Sequence, residues 1–442
     1  MTLRATHAGS VDLLSLHRRF PALYPFLLQS VAGHPQSGRY DILFAFPGRA
    51  FTDQTLGAVA GDFFCELSAA LARERCEAPD DLPFAGGWFV LLGYEAARRI
   101  EPRLKLPASP YALPEALAVR CPAAIIHDRE AGQVHLVAEQ DPEQIRRMWA
   151  DLATASRVAP GGGALVRSVT EEPPQRFLEG VSKILDYLAA GDVFQVNLSR
   201  AWQAELAQDI TAADLYARLR VSNPAPFAGI AQWQGSAVLS SSPERLVEVR
   251  GREVQTRPIA GTRPRSDARE LDDALRAQLI ASIKERAEHI MLIDLERNDL
   301  GRVCETGSVT VSELMTVESY AHVHHIVSNV RGRLRAGAGP GEVLRAVFPG
   351  GTITGCPKVR AMEIIAELEG VGRGPYTGAM GYLGVDGRMD LNILIRSLVV
   401  EGRRVSFRTG AGIVADSDAD LELAETRTKA RGLLEALGAV AQ

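Results

Sequence analysis

From residue 170 onward the chain keeps turning back on itself. Alternating apolar runs such as FAGIAQWQGSAVLSSSPERLVEVRGREVQTRPI and GAMGYLGVDGRMDLNILIRSLVVEGRRVSFRTGAGIV are broken only by short turns, and Val385-Asp386-Gly387 has the composition of a hairpin loop. Strands joined this way pair antiparallel, because a parallel neighbour needs a long crossover connection. Helix patterns fall in separate blocks, at 270–295, 340–348, 357–369 and 418–437, instead of alternating with the strands. The expected fold class is therefore α+β, with antiparallel sheets and segregated helices. In the first third, FAGGWFVLLGYEAARRI reads as a strand entering a helix, and CPAAIIHDREAGQVHLVAE as a hairpin turned at Ala131-Gly132. The run from Ala159 to Ala164, APGGGA, has the strongest linker composition in the chain. It divides the sequence into an N-terminal region 1–158, a linker 159–169 and a second region 170–442.

Composition excludes several classes. A chain of 442 residues with 46% hydrophobic and 23% charged residues can bury one large or two moderate cores. The formal net charge of -5 comes without a basic stripe, which sets nucleic acid aside as a partner. No apolar run is long enough to cross a bilayer, and the polar start MTLRATHAGSVDLLSLHRRF lacks a signal-peptide core. Cys65, Cys76, Cys121, Cys304 and Cys356 are odd in number and lack metal-type spacing, so they read as free thiols of a reducing compartment, the cytoplasm.

Two helical segments far apart each carry glutamates three residues apart: Glu285 and Glu288 in SIKERAEHIMLIDLERNDLGRV, and Glu422 and Glu425 in DADLELAETRTKARGLLEAL. Positions i and i+3 share a helix face. Four acids gathered in one cleft would repel one another unless a hard cation sat among them, and Mg²⁺ favours a few carboxylates together with substrate oxygens. Lys429 follows Glu425 at i+4 and adds a cation for an acidic ligand. The alternative is a set of solvated helix acids making i,i+4 pairs.

Ten segments in order resemble the chorismate-utilising enzymes, a family that includes component I of anthranilate synthase and of aminodeoxychorismate synthase, isochorismate synthase and salicylate synthase. They are GDVFQVNLSR (191–200), SSPERLV (241–247), TRPIAGTRPR (256–265), KERAEHIMLIDLERNDLGRV (284–303), HHIVSNVRGRL (324–334), FPGGTITGCPKVRAMEII (348–365), GPYTGAMGYL (374–383), NILIRS (392–397), RTGAGIVADSD (408–418) and ELAETRTKA (422–430). The resemblance implies antiparallel sheets around a central cleft with helices outside. It also implies Mg²⁺ as cofactor, held by Glu288 and Glu425 with Glu285 and Glu422 nearby, and polarising the ring carboxylate of chorismate. Glu244 matches the general acid that protonates the departing ring hydroxyl; by itself it could be a strand-end acid paired with Arg245. His325 matches a histidine that contacts the ring, with His322 and His324 as strand neighbours. Tyr376, Arg396, Lys429 and the backbone of Gly410, Ala411 and Gly412 match positions that hold the side-chain carboxylate, and Thr262 and Thr354 would add hydroxyl contacts.

Gln195 stands where isochorismate and salicylate synthases carry a lysine that activates water. Glutamine cannot deprotonate water, whereas ammonia needs only orientation, so the resemblance implies amination of chorismate. Ala260 stands where many aminodeoxychorismate synthases carry a nucleophilic lysine, and alanine is the anthranilate synthase pattern. Other text favours aminodeoxychorismate synthase: RYDILFAFPG, DLNILIRS, TITGCPK and SYAHVHHIVS. At Leu27-Leu28-Gln29-Ser30 a glutamine replaces the acid of a tryptophan-binding element. The expectation is an aminodeoxychorismate synthase component I that makes 4-amino-4-deoxychorismate for 4-aminobenzoate and folate synthesis. Anthranilate synthase component I is the alternative, ahead of a non-catalytic chorismate-binding relative or an isochorismate synthase. No cysteine has a glutaminase context, so ammonia would come from a separate glutamine amidotransferase subunit in a heterodimer.

Overall fold

The computed structural model describes residues 2–32, 38–55, 62–78, 81–207, 210–266, 268–319 and 323–439, except the side chains of Thr262 and Lys284. Two antiparallel sheets organise the chain. In the first, strands run in the order Leu3–Ala8, Gln133–Ala138, Ala123–Asp128, Tyr40–Ala45, Phe26–Gln29, Phe227–Trp233, Ser236–Ser242, Ser397–Glu401, Arg404–Ile413, Gln195–Leu206 and Gly355–Cys356, and Val166–Glu171 also pairs with Gln195–Leu206. In the second the order is Ile259–Pro264, Val323–Arg333, Glu253–Thr256, Arg245–Arg250, Met389–Ile393, Ala379–Gly384, Gly87–Leu92, Ala116–Cys121 and Ala50–Thr52, and Thr310–Ser319 also pairs with Val323–Arg333. The α+β class with antiparallel pairing is as expected.

The sheets pack face to face through aromatic rings. Phe26 stacks on Phe89 with centroids 4.0 Å apart, and Phe44, Phe84 and Tyr382 close around them. Helices cover the outer faces. Leu13–Arg19, Ala212–Ser222, Lys358–Glu369 and Ala419–Leu437 pack on strands of the first sheet, and Phe63–Glu74 packs with Pro340–Val347. The 123–138 stretch forms the hairpin read from its sequence, with Gly132 at φ +62° in its turn.

Three details differ from the sequence expectation. The 270–295 helix is two helices, Arg269–Ala281 and Ile283–Gly301, because Ser282 turns its hydroxyl onto the N–H of Glu285 and starts a new helix as N-cap. After Gly87–Leu92 the chain makes a 3₁₀ helix, Tyr94–Arg99, in place of an α-helix. Val166–Glu171 begins inside the expected linker, and regions 1–158 and 170–442 share both sheets, since Phe26–Gln29 pairs with Phe227–Trp233 and Gly87–Leu92 with Ala379–Gly384. None of the described helices is long and apolar enough to cross a membrane.

Glycine spacing in a strand cannot announce which charges the fold will bury, and a large cluster lies inside. Arg373, 1% exposed, makes two hydrogen bonds to Glu369 at 2.6 and 3.0 Å and donates to the carbonyl of Asn197 at 2.7 Å. Arg408 reaches the same carboxylate at 3.2 Å, and Ser199 donates to it at 2.7 Å. Burial alone would raise the Glu369 pKa, but the two guanidinium groups hold it below its ordinary value. Replacing Glu369 with alanine would leave both cations buried without their acid. We expect a loss of about 3–5 kcal/mol of stability, read as a lowered urea midpoint; a midpoint within error of the wild type would contradict this role.

Candidate functional site

The chain passes between the two sheets at two places that matter. Glu244 lies between Ser236–Ser242 of the first sheet and Arg245–Arg250 of the second; Arg396 lies between Met389–Ile393 of the second and Ser397–Glu401 of the first. The crossings are tied together, because the N–H of Ile393 donates to the Glu244 carbonyl at 3.0 Å and the N–H of Ser241 donates to the Arg396 carbonyl at 3.1 Å. Arg396 adopts φ +51°, a left-handed conformation uncommon outside glycine and often found at functional positions.

Glu244 is 5% exposed. Burial pushes its carboxyl up to about 7, while the Thr352 hydroxyl and the Lys429 charge offset part of that push. Arg245 is engaged with Asp390 at 3.0 Å and Glu248 at 3.0 Å, so the strand-end pairing considered from sequence is taken by other acids.

Around the Arg404–Ile413 strand two groups of side chains meet. Gln195 Nε2 donates to Glu288 Oε1 at 3.4 Å, and a Cβ on Gly412 would collide with that amide and stand 3.6 Å from Glu288 Oε1. Gly410, two residues earlier and hence on the same strand face, accepts from Lys429 Nζ at 3.0 Å, and Lys429 Nζ is 2.6 Å from Glu425. A Cβ on Gly410 would come within 2.8 Å of the Tyr376 hydroxyl. Arg396 donates to the Lys429 carbonyl at 3.0 Å and lies within electrostatic reach of the Glu425 carboxylate. Glu288 thus stands beside Gly412, and Glu425, far from it in sequence, is tied to the same strand through Lys429. Ala411 between the two glycines is buried on the opposite face, with the core.

His325 is buried, and burial lowers its pKa to about 4, so the imidazole is neutral. Its Nδ1 lies 3.3 Å from the carbonyl of Gly261, which can only accept, so Nδ1 carries the proton and Nε2 is the basic nitrogen. Tyr376 is pushed up to about 12 by burial and keeps its hydroxyl proton. The Arg373 guanidinium packs over the rings of Tyr94 and Tyr376, with centroid distances of 4.9 and 5.6 Å, and Glu95 accepts from the backbone N–H of Arg373 at 2.6 Å. The Thr354 hydroxyl is turned onto the Gly350 carbonyl at 2.8 Å. Thr262 pairs with His325 through the backbone; its side chain, like the whole of His322, lies outside the described residues. His324 is engaged by Asp272 at 3.0 Å and Ser319 at 2.7 Å. Ala260 is buried opposite Ile326.

The four glutamates do not form one cluster. Glu285 pairs with Arg263 at 3.2 Å, and the buried Glu422 accepts from Ser417 at 2.7 Å. Among the described residues no three acidic, histidine or cysteine side chains form a ready-made metal site. Glu288 beside Gly412 and Glu425 beside Lys429 offer oxygen donors only. That chemistry suits a Mg²⁺ whose remaining ligands are substrate oxygens and water.

Sequence reasoning missed Thr352, Arg373, Glu369 and Glu95, which act on Glu244 and Tyr376 only through the fold. Leu28, Gln29 and Ser30 line a separate cavity of about 640 Å³ together with Tyr40, Met380 and Asn392, and none of the catalytic candidates borders it. There Gln29 donates to Asp41 at 3.2 Å.

Residues 28–435 match the family model described as chorismate binding enzyme. The chain belongs to that family. It is 41% identical to "Anthranilate synthase component I-like protein" of Synechocystis over 91% of this chain and 84% of that protein. It is 40% identical to "Aminodeoxychorismate synthase component 1" of Bacillus subtilis over 82% of this chain and 78% of that one. The crystal structure of anthranilate synthase component I from Streptococcus pneumoniae superposes with a TM-score of 0.79 at 32% identity, covering 90% of this chain and 92% of that chain. A chorismate-utilising enzyme thus carries Glu244 at a crossing between its sheets, and Gln195 and Gly410–Gly412 on paired strands of the first sheet.

Two measurements probe this geometry. Gly412→Ala should lower kcat/KM for chorismate by roughly tenfold or more, since small displacements of reacting groups are costly, while the melting temperature stays near the wild-type value; unchanged kinetics would separate Gly412 from the site. As the general acid expected from the sequence, Glu244 should give a kcat/KM for chorismate that is flat below pH about 7 and falls above it, as its raised carboxyl ionises. A rate still level at pH 9 would remove Glu244 from that role.

Proposed function

We propose that this enzyme aminates chorismate to 4-amino-4-deoxychorismate with Mg²⁺ and ammonia. One observation carries the amination. The carboxylate of Glu288 only accepts, so Gln195 must face it with Nε2; this leaves the buried Oε1 without a hydrogen-bond partner among the described residues. A buried acceptor with no donor is costly, and an N–H of ammonia satisfies it while turning the nitrogen lone pair toward the ring. A lysine at this position would serve water; a glutamine serves a nucleophile that already has its lone pair.

The other residues take complementary parts. Lys429, Arg396 and the protonated Tyr376 bind the side-chain carboxylate near Gly410. Glu244 gives its proton to the departing ring hydroxyl, which leaves as water with the electrons of the C–O bond. Neutral His325 lines the ring without adding charge. Glu288 and Glu425 would hold the Mg²⁺, which supplies Lewis-acid polarisation of the ring carboxylate. Ammonia would come from a glutamine amidotransferase subunit. In this chain burial pushes the thiols of Cys121 and Cys304 up to about 12 and 11, which is unsuited to a nucleophilic thiolate.

The choice of product rests on RYDILFAFPG, DLNILIRS, TITGCPK and SYAHVHHIVS, and on Gln29 in place of an acid. Anthranilate formation is the second reading, favoured by Ala260 and by a relative named "Anthranilate synthase component 1" in Streptomyces coelicolor, 40% identical over 93% of this chain and 83% of that protein. Incubation with chorismate, Mg²⁺ and ammonium should yield a product that becomes 4-aminobenzoate only after a lyase is added. Prompt anthranilate fluorescence would establish the second reading, and turnover without ammonium would exclude both. Gln195→Leu should lower kcat/KM for ammonia by roughly 10- to 100-fold, the range of one lost polar contact, with the KM for chorismate little changed. Equal losses for both substrates would contradict the orienting role.

A further inference from the structure

Gln195 does not stand alone on its strand. Asn197, two residues on, shares its face of Gln195–Leu206 and is 8% exposed. The Asn197 backbone is held on both sides: its N–H donates to the Thr354 carbonyl at 2.9 Å, and its carbonyl accepts from Arg373 at 2.7 Å. The two amides lie over two glycines of the neighbouring strand. A Cβ on Gly412 would meet the Gln195 amide, and one on Gly410 would stand 2.8 Å from Asn197 Oδ1 and 2.8 Å from the Tyr376 hydroxyl. Like Gln195 Oε1, Asn197 Oδ1 is buried and has no hydrogen-bond partner among the described residues.

A buried acceptor without a donor is costly, which points to a donor brought by a ligand. Chorismate offers little choice at neutral pH. Its two carboxylates and its ether oxygen only accept, and its single donor is the ring hydroxyl. That hydroxyl sits on the ring carbon next to the one bearing the enolpyruvyl ether. With the side-chain carboxylate at Gly410, against Lys429 and Tyr376, the vicinal hydroxyl comes within reach of Asn197, which borders the same glycine.

We propose that Asn197 Oδ1 accepts a hydrogen bond from the ring hydroxyl and makes the site selective for substrates that carry it. The inference rests on the placement of the side-chain carboxylate given above, and not on which ring carbon receives the nitrogen. A hydroxyl that donates to Asn197 keeps its lone pairs free, so Glu244 can protonate one of them. Gln195 and Asn197 then divide the strand face: one amide orients the incoming nitrogen, the other the departing oxygen. Selectivity follows from what a wrong ligand leaves behind. A compound without the hydroxyl keeps the Asn197 oxygen buried and unpaired.

Three aromatic chorismate analogues test this by calorimetry with Mg²⁺ present. They are 3-(1-carboxyvinyloxy)-4-hydroxybenzoate, its 4-deoxy counterpart and its 4-fluoro counterpart, which cannot donate. The wild type should bind the hydroxy compound roughly 10- to 100-fold more tightly than either of the others. In Asn197→Ala that preference should shrink to within about threefold, while the affinity for the deoxy compound stays near the wild-type value. Asn197→Leu should show the same loss of preference and serves if the alanine variant does not fold. An equal loss for all three compounds, or no loss, overturns the proposal. So does a wild type that binds the fluoro compound as tightly as the hydroxy one. The underlying placement has its own readout: Lys429→Ala should weaken all three compounds by roughly tenfold or more. Unchanged affinities in that variant, or a wild type that binds none of the three, would overturn the placement of the carboxylate instead.

Discussion

Two backbone hydrogen bonds, Ile393 N–H to the Glu244 carbonyl and Ser241 N–H to the Arg396 carbonyl, fix where the sheets exchange strands. Each is worth only about 1 kcal/mol net, but leaving such buried groups unpaired costs more. Their consequence is positional. A carboxyl and a guanidinium, separated by 152 positions in sequence (244 to 396), are held at adjacent crossings, and neither can shift without breaking sheet register. Ser397 Oγ donates to Ser240 Oγ at 2.8 Å and adds a side-chain tie at the same place.

Burial at that junction sets protonation states as well as positions. Glu244 keeps its proton to about 7, His325 is neutral and Tyr376 stays protonated, each because a charge would lose its hydration without full compensation. Cations gather on one side, with Lys429 on Gly410 and Arg396 on the Lys429 carbonyl. Glu288 stands against Gln195, and Glu425 stands beside Lys429. A substrate with two carboxylates and a leaving hydroxyl meets a different group at each end. The Glu369–Arg373–Arg408 cluster supports this from behind by seating the Tyr376 ring.

The interdigitation of the two regions has its own logic. The edge of each half-sheet from residues 170–442 would expose unpaired backbone groups. Phe26–Gln29 covers one such edge at Phe227–Trp233, and Gly87–Leu92 covers another at Ala379–Gly384. The cavity beside Gln29 lies at the first of these joins, apart from the reaction site.

The sequence by itself determined the antiparallel α+β class, the 123–138 hairpin, and the residue types of a chorismate-binding enzyme, because hairpin turns, strand alternation and i,i+3 spacing are local properties. It also put Gln195, Glu244, Glu288 and Lys429 on the page as members of matched segments. What only the tertiary structure decided is which of them meet. Glu285 turned to Arg263 and Glu422 to Ser417, while Glu288 came to stand beside Gly412 and Glu425 beside Lys429. Spacing along one helix fixes a face, but the partner of that face comes from a strand or turn many residues away, and desolvation, which sets the acid–base chemistry, exists only after the two have closed together.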